Sequence, residues 1–308
     1  MRKSLWALIA LAVFALPAAG ADKIALTYVK APLNVPSIVE RKLELFEKAF
    51  ASEGITVTYP EITAGPAQTQ AMAAGSIQFA NCLGGTSALL AAAAGVDLRI
   101  IAVYSRAPEA FVLLARDEAV TSVADLKGRK VAGPKGTVLH QLLATALDRE
   151  GMKAEDVQFL SMGLPEGVAA LLSGNVDAAL AAGPAAYKAQ EAGARVVVDG
   201  RGLVDATTVI AVAGPFLESH PDRVARFLEV HRQALDFMRE NEAEAFALTA
   251  EETGLSVEAV AAMFPLYDFD PTLRPSDVEE LKRTQDFLLA NGLMERAVDV
   301  DALFAPLQ

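Results

Sequence analysis

One phrase of this sequence occurs twice. Pro66 is matched 99 positions later by Pro165, Gly75 by Gly174, Ile77 by Val176, Ala80 by Ala179 and Gly84 by Gly183. Both stretches read as a helix, a glycine, a short strand and a glycine-rich turn. At a different offset, Lys30 after the first strand falls on Lys135 after Val131. A repeat on this scale in a chain of 308 residues predicts two α/β units of like build rather than one small core.

The pattern between the repeats agrees, alternating short apolar runs with helical stretches closed by glycine. Strands are predicted at residues 24–29, 56–61, 77–81, 99–104, 110–116, 130–132, 157–161, 178–182, 195–198 and 207–212. Helices are predicted at 39–51, 68–74, 86–94, 138–150, 165–172 and 187–192. Beyond Phe216 the prediction is helix alone, over 223–239, 256–264 and 275–290. The first of these three helices opens on Ser219-His220-Pro221-Asp222, which supplies a cap, an early proline and an acid. Ligands of open α/β sheets sit outside the carboxyl ends of the strands, so the loops there are where function belongs.

Composition narrows the classes. Hydrophobic residues make up 53% and charged residues 21%, which excludes disorder as the main state. The net charge of -12 argues against a nucleic-acid binder. A single cysteine forbids an intramolecular disulfide, and three histidines leave little for a metal, so no cofactor is expected. No phosphate loop, dinucleotide fingerprint, G-x-S-x-G elbow or H-E-x-x-H is present. A Cys82/His140 nucleophile pair has no local support. Residues 1–21 carry a basic start, twelve apolar residues from Leu5 to Leu16 and a small-residue ending at Ala19-Gly20-Ala21. That is the pattern of a cleaved secretory signal, too short to span a bilayer, and no cysteine follows it for lipidation. The expected mature protein is soluble and periplasmic.

The phrase Val123-Ala124-Asp125-Leu126-Lys127-Gly128-Arg129-Lys130-Val131-Ala132 resembles the entry into the second lobe of solute-binding proteins of bacterial ABC importers. Ala71-Met72-Ala73-Ala74-Gly75-Ser76-Ile77-Gln78-Phe79-Ala80-Asn81 resembles the aliphatic sulfonate, taurine and nitrate branch of that family (NMT1/THI5-like). Residues 169–182 and Phe216-Leu217-Glu218-Ser219-His220-Pro221-Asp222 fit it too. The resemblance implies an α/β, two-lobed type II periplasmic binding protein fold, with a cleft between the lobes and two hinge strands. It implies lobe I over 22–108 plus 213–308 and lobe II over 109–212. The implied partners are a small anionic ligand and an inner-membrane ABC permease with its ATPase, the binding protein acting as a monomer.

The loops can be read without the family. Gly84-Gly85-Thr86-Ser87 lies between a strand and a helix, where backbone N–H groups and two hydroxyls make an anion site. Gly65 and Gln68 lie on the neighbouring loop. Lys30, Asn34, Arg106 and Lys135 follow strand ends and offer positive or donor groups in an acidic chain. Gly136-Thr137 and Gly183-Pro184 lie where the opposing jaw belongs, with His140 one turn into the helix as a packed residue. Tyr104 and Met162 are expected as apolar wall, and Asp205 as a partner for a ligand ammonium. The function expected is capture of an aliphatic sulfonate or taurine. Nitrate, aromatic carboxylates and pyrimidines stay open, and a pyrimidine-synthase-like enzyme is the distant rival.

Overall fold

The computed structural model describes residues 23–29 and 33–305. The expected signal segment and Lys30 lie outside the described residues. Strands β1 (Lys23–Ala25) and β2 (Thr56–Thr58) pair in parallel, with α1 (Val35–Lys42) and α2 (Leu45–Phe50) between them. The single helix expected over 39–51 is broken at Glu44, whose φ of 55° lies in the left-handed region. The bend lets Phe46 and Phe50 both reach the core, Phe46 packing on Phe227 with ring centroids 4.7 Å apart.

The chain continues through α3 (Gly65–Ala73), β3 (Phe79–Gly84), α4 (Gly85–Ala93) and β4 (Leu98–Ser105). A second series follows: β5 (Phe111–Ala115), β6 (Lys130–Gly133), α5 (Val138–Arg149), β7 (Gln158–Ser161), α6 (Leu164–Leu172), β8 (Ala178–Ala182), α7 (Gly183–Glu191) and β9 (Arg195–Asp199). After β10 (Thr208–Ala213), helices α8 (Gly214–Ser219), α9 (Pro221–Glu240), α10 (Glu242–Thr253), α11 (Val257–Met263) and α12 (Pro275–Ala290) close the fold. Helix α10 was not expected; its Ala/Glu-rich sequence suits a helix, and Gly254 at φ 65° ends it.

Two sheets result. The second has the order β7-β6-β8-β5-β9. In the first, β10 lies between β3 and β4, and a parallel bridge from Leu26 to Phe79 sets the β1–β2 pair beside β3. The two orders are the same, with one strand in each, β10 or β5, running antiparallel to its neighbours. The chain therefore passes between lobes twice, after β4 and after β9. One boundary is corrected: residues 208–212, expected in the second lobe, pair with β3 and β4 and belong to the first sheet.

The repeat is visible in the elements themselves. Helices α3 and α6 begin and end at positions 99 apart, and so do the starts of β3 and β8. Gly75 and Gly174 follow those helices at φ 70° and 75°, each donating its N–H to the carbonyl three residues back. Strand β8 is Ala-Ala-Leu-Ala-Ala and buried throughout, as a strand covered on both faces must be. Its one large side chain lies over the end of β6, where a Cβ on Gly133 would stand 2.5 Å from Leu180 Cδ1.

Candidate functional site

Four helices begin around one cavity. Its volume is about 260 Å³, and it lies between the sheets. Thr63, Ala64, Gly65 and Gln68 line it from the start of α3, and Gly84 and Ser87 from the start of α4. Pro134, Thr137, Val138 and Leu139 come from the start of α5, and Gly163, Leu164, Pro165 and Glu166 from the start of α6. Cys82, Phe111 and Thr208 complete the wall.

The sequence explains why helices begin there. Gly-Pro opens α3 and Leu-Pro opens α6, placing proline in the first turn where its missing N–H costs nothing. Thr137 caps α5, its Oγ1 accepting from His140 N at 3.4 Å. First-turn amides have no partner inside their own helix, so they are available to a ligand. In the first turn of α4, Gly85 N is already committed to Thr207 O at 3.0 Å, leaving Thr86 and Ser87. The positive ends of four helix dipoles thus face one space.

Among the described residues, no lysine, arginine or histidine lines this cavity, and the formal charge in its lining is Glu166. The Glu166 carboxylate folds back over the start of α6, with Oε2 2.3 Å from where a Cβ on Gly163 would stand. Close approach is also required at Gly65, where an added Cβ would lie 2.3 Å from Ser87 Oγ. Ser87 Oγ donates to Gly136 O at 2.8 Å, a bond from the first lobe to the second. Gln68 is buried, its Oε1 accepting from Thr27 Oγ1 at 3.2 Å. Cys82 holds φ 63°, and burial pushes its thiol up to about 12, partly offset by a hydrogen bond with Thr208.

Of the expected site residues, Gly65, Gln68, Gly84, Ser87 and Thr137 come together here, and Gly136 adjoins them through its carbonyl. Others are placed elsewhere. Arg106 is held by Asp277, with Nε and Nη2 each 2.6 Å from a carboxylate oxygen, and by the carbonyls of Asp270 and Thr272. Tyr104 is fully buried with its hydroxyl 2.8 Å from Ser37 Oγ, so it is core and not cavity wall. Asp205 faces Arg283 at 3.6 Å and lines a separate cavity with Glu280 and Gln141. Gly183 lines a third cavity, and Pro184, beside it, is buried in the first turn of α7. Met162 packs on the second sheet outside the cavity lining. Gly85 and Thr86 are buried, Thr86 bonded to Gln141. Asn34 is buried and donates to Val29 O. Lys135 is exposed outside the lining.

The start of α6 and the α5 residues Val138 and Leu139 were missed. The signal for α6 was present: the shift that matches Pro66 with Pro165 carries Gly65 onto Leu164 and Ala64 onto Gly163. His140 packs as expected, its ring 4.8 Å from Phe159, and burial followed by Lys135 lowers its pKa.

Two sheets of one order, two crossings and a cavity between them define a two-lobed binding protein of the type II periplasmic class. The NMT1/THI5 like family matches residues 49–245, and the chain belongs to that family. A putative aliphatic sulfonates-binding protein of Escherichia coli is 30% identical over 275 residues, covering 87% of this chain and 84% of that protein. The crystal structure of the periplasmic aliphatic sulphonate binding protein SsuA from Escherichia coli matches with a TM-score of 0.77 at 27% identity, covering 92% of this chain and 97% of that one. A 2'-hydroxybiphenyl-2-sulfinate desulfinase of Rhodococcus erythropolis is 34% identical over 145 residues, covering 45% of this chain and 39% of the enzyme.

Proposed function

We propose that this protein is the periplasmic substrate-binding component of an ABC importer, and that it holds a small organic anion, an aliphatic sulfonate foremost, in the four-helix cavity. The convergence of four helix starts on a space that no basic side chain lines, among the described residues, carries this reading. Each start contributes about 0.3–1 kcal/mol toward an anion, up to ~2 when partly buried. The amides of Gly65, Ser87, Val138, Leu139 and Leu164 are the donors; the Ser87 and Thr137 hydroxyls beside them give their own protons to Gly136 O and Pro134 O. Phe111, Leu139 and Leu164 give a short carbon body an apolar wall. Donors come from both lobes, so ligand contacts are complete only when the lobes are shut, and binding shifts the protein to its closed form. That form is the one presented to the membrane permease and its ATPase by a monomeric binding protein.

A second reading, taurine, rests on Glu166. It takes the place expected for Asp205 as the acid that faces a ligand ammonium. A catalytic reading is disfavoured by the Cys82 thiol, which burial keeps protonated near neutral pH, whereas the thiolate is the nucleophile.

A thermal-shift panel of ethanesulfonate, taurine, nitrate, benzoate and a pyrimidine tests both readings. A sulfonate at a hundred times its Kd adds about 2.7 kcal/mol to stability. If only the pyrimidine raises Tm, the reading is wrong. In Glu166→Gln, taurine binding is expected to weaken about tenfold while ethanesulfonate binding holds or tightens; equal loss of both removes Glu166 as an ammonium partner.

A further inference from the structure

Outside the ligand cavity, one buried side chain of the second lobe is clamped by two helices of the first. Gln141 lies on the first turns of α5. Its Oε1 accepts from Thr86 Oγ1 of α4 at 2.5 Å, and its Nε2 donates to Thr284 Oγ1 of α12 at 2.9 Å. Thr284 Oγ1 in turn donates to Glu280 Oε1 at 3.1 Å. The four side chains therefore form one run of hydrogen bonds with a single donor-to-acceptor direction. All four are buried, and none of them lines the ligand cavity.

A buried primary amide has two faces to satisfy, and here both partners belong to the other lobe. Parting the lobes breaks both bonds at once and returns Gln141, Thr86 and Thr284 to water. Other direct contacts between the lobes, among the described residues, are placed differently, Arg283 to Asp205 being an exposed ion pair at 3.6 Å. Ser87 to Gly136 sits at the cavity itself, and Lys188 Nζ to Thr253 O, at 3.2 Å, is exposed. Gln141 is also on the helix whose first amides, at Val138 and Leu139, face the cavity.

We infer that Gln141 is a positioning residue that locks the closed form, holding the start of α5 over the ligand without touching it. The inference rests on the cavity being the ligand site. Its basis is the two-sided clamp, which nothing in the ligand-binding reading requires. The lock lowers the rate at which a bound ligand escapes and leaves the rate of capture to the open form.

The test compares the wild-type protein with Gln141→Leu, Thr284→Val and the double variant. Small-angle scattering of the ligand-free proteins is expected to show a larger radius of gyration in Gln141→Leu, with its thermal transition still cooperative. Stopped-flow measurement with ethanesulfonate is expected to show dissociation about tenfold faster and association unchanged, the size of effect that loss of one or two net hydrogen bonds gives. Thr284→Val is expected to act in the same direction, and the double variant to be no worse than Gln141→Leu alone. Unchanged dimensions and dissociation in a folded Gln141→Leu protein overturn the inference, as does full additivity in the double variant. Should Gln141→Leu fail to fold, Thr284→Val alone decides by the same two readouts. Should ethanesulfonate bind none of the proteins, the ligand reading is what fails, and scattering of the ligand-free forms still decides the lock.

Discussion

Arg106 shows how one side chain changes meaning once its surroundings are known. As a cation after a strand it reads as a ligand group, yet its guanidinium is spent on Asp277, Asp268 and two carbonyls. Asp277 is itself buried and also accepts from Arg274 N at 2.7 Å, so it fixes the start of α12. Removing Arg106 leaves a buried carboxylate short of its counter-ion. Arg106→Ala is expected to lose about 3 kcal/mol of stability, the low end for a broken buried pair because the Arg274 bond remains. Denaturant unfolding measures that loss, and calorimetry with ethanesulfonate is expected to find the same affinity. A large drop in affinity with intact stability would return Arg106 to the site. The residue type was legible in the sequence. Its partner, 171 positions away, was not.

Among the elements, the starts of helices matter most, because they decide which backbone groups face the cavity. Gly65 is the tightest case: α3 and α4 approach so closely there that Ser87 Oγ occupies the space of a side chain. Gly65→Ala is expected to push Ser87 aside and break its bond to Gly136 across the lobes. Affinity for ethanesulfonate should fall at least about tenfold by calorimetry, while Tm moves by a few degrees. Unchanged affinity would show that the α3 start is not part of the site. Most of these elements were readable from periodicity and glycine stops, and the 99-residue repeat gave the likeness of the halves. Two kinds of feature were not readable. The break at Glu44 goes with the packing of Phe46 on Phe227, a partner far away in the sequence. The strand ends at Gly183 and Gly84 look alike in sequence, yet they open onto different cavities.

For the molecule as a whole, the joint between lobes carries a pH dependence. Glu280 is raised from an ordinary 4.5 to about 7, by burial first and by Asp205 and Asp277 beyond it, while Thr284 and Arg283 pull the other way. Its second oxygen is buried without a hydrogen-bond partner. The folded protein therefore binds more protons than the unfolded chain between those two values. Stability contributed at this residue is full below pH 4.5, falls as pH rises toward 7 and is level above it. The total is on the order of 3 kcal/mol at 1.36 per unit. Glu280→Gln is expected to flatten that part of the pH–stability curve relative to wild type in urea titrations. Parallel curves for the two proteins would show that Glu280 titrates normally.

The late strand of the first sheet sets an order of assembly. The second sheet draws all five strands from one continuous stretch, Phe111 to Asp199, whereas the first stays open until Thr208–Ala213 arrives to fill the place between β3 and β4. During synthesis the amino-terminal strands must therefore wait, with β3 and β4 unjoined, until the whole second sheet has emerged. A polypeptide that postpones its own completion in this way remains threadable for most of its time on the ribosome.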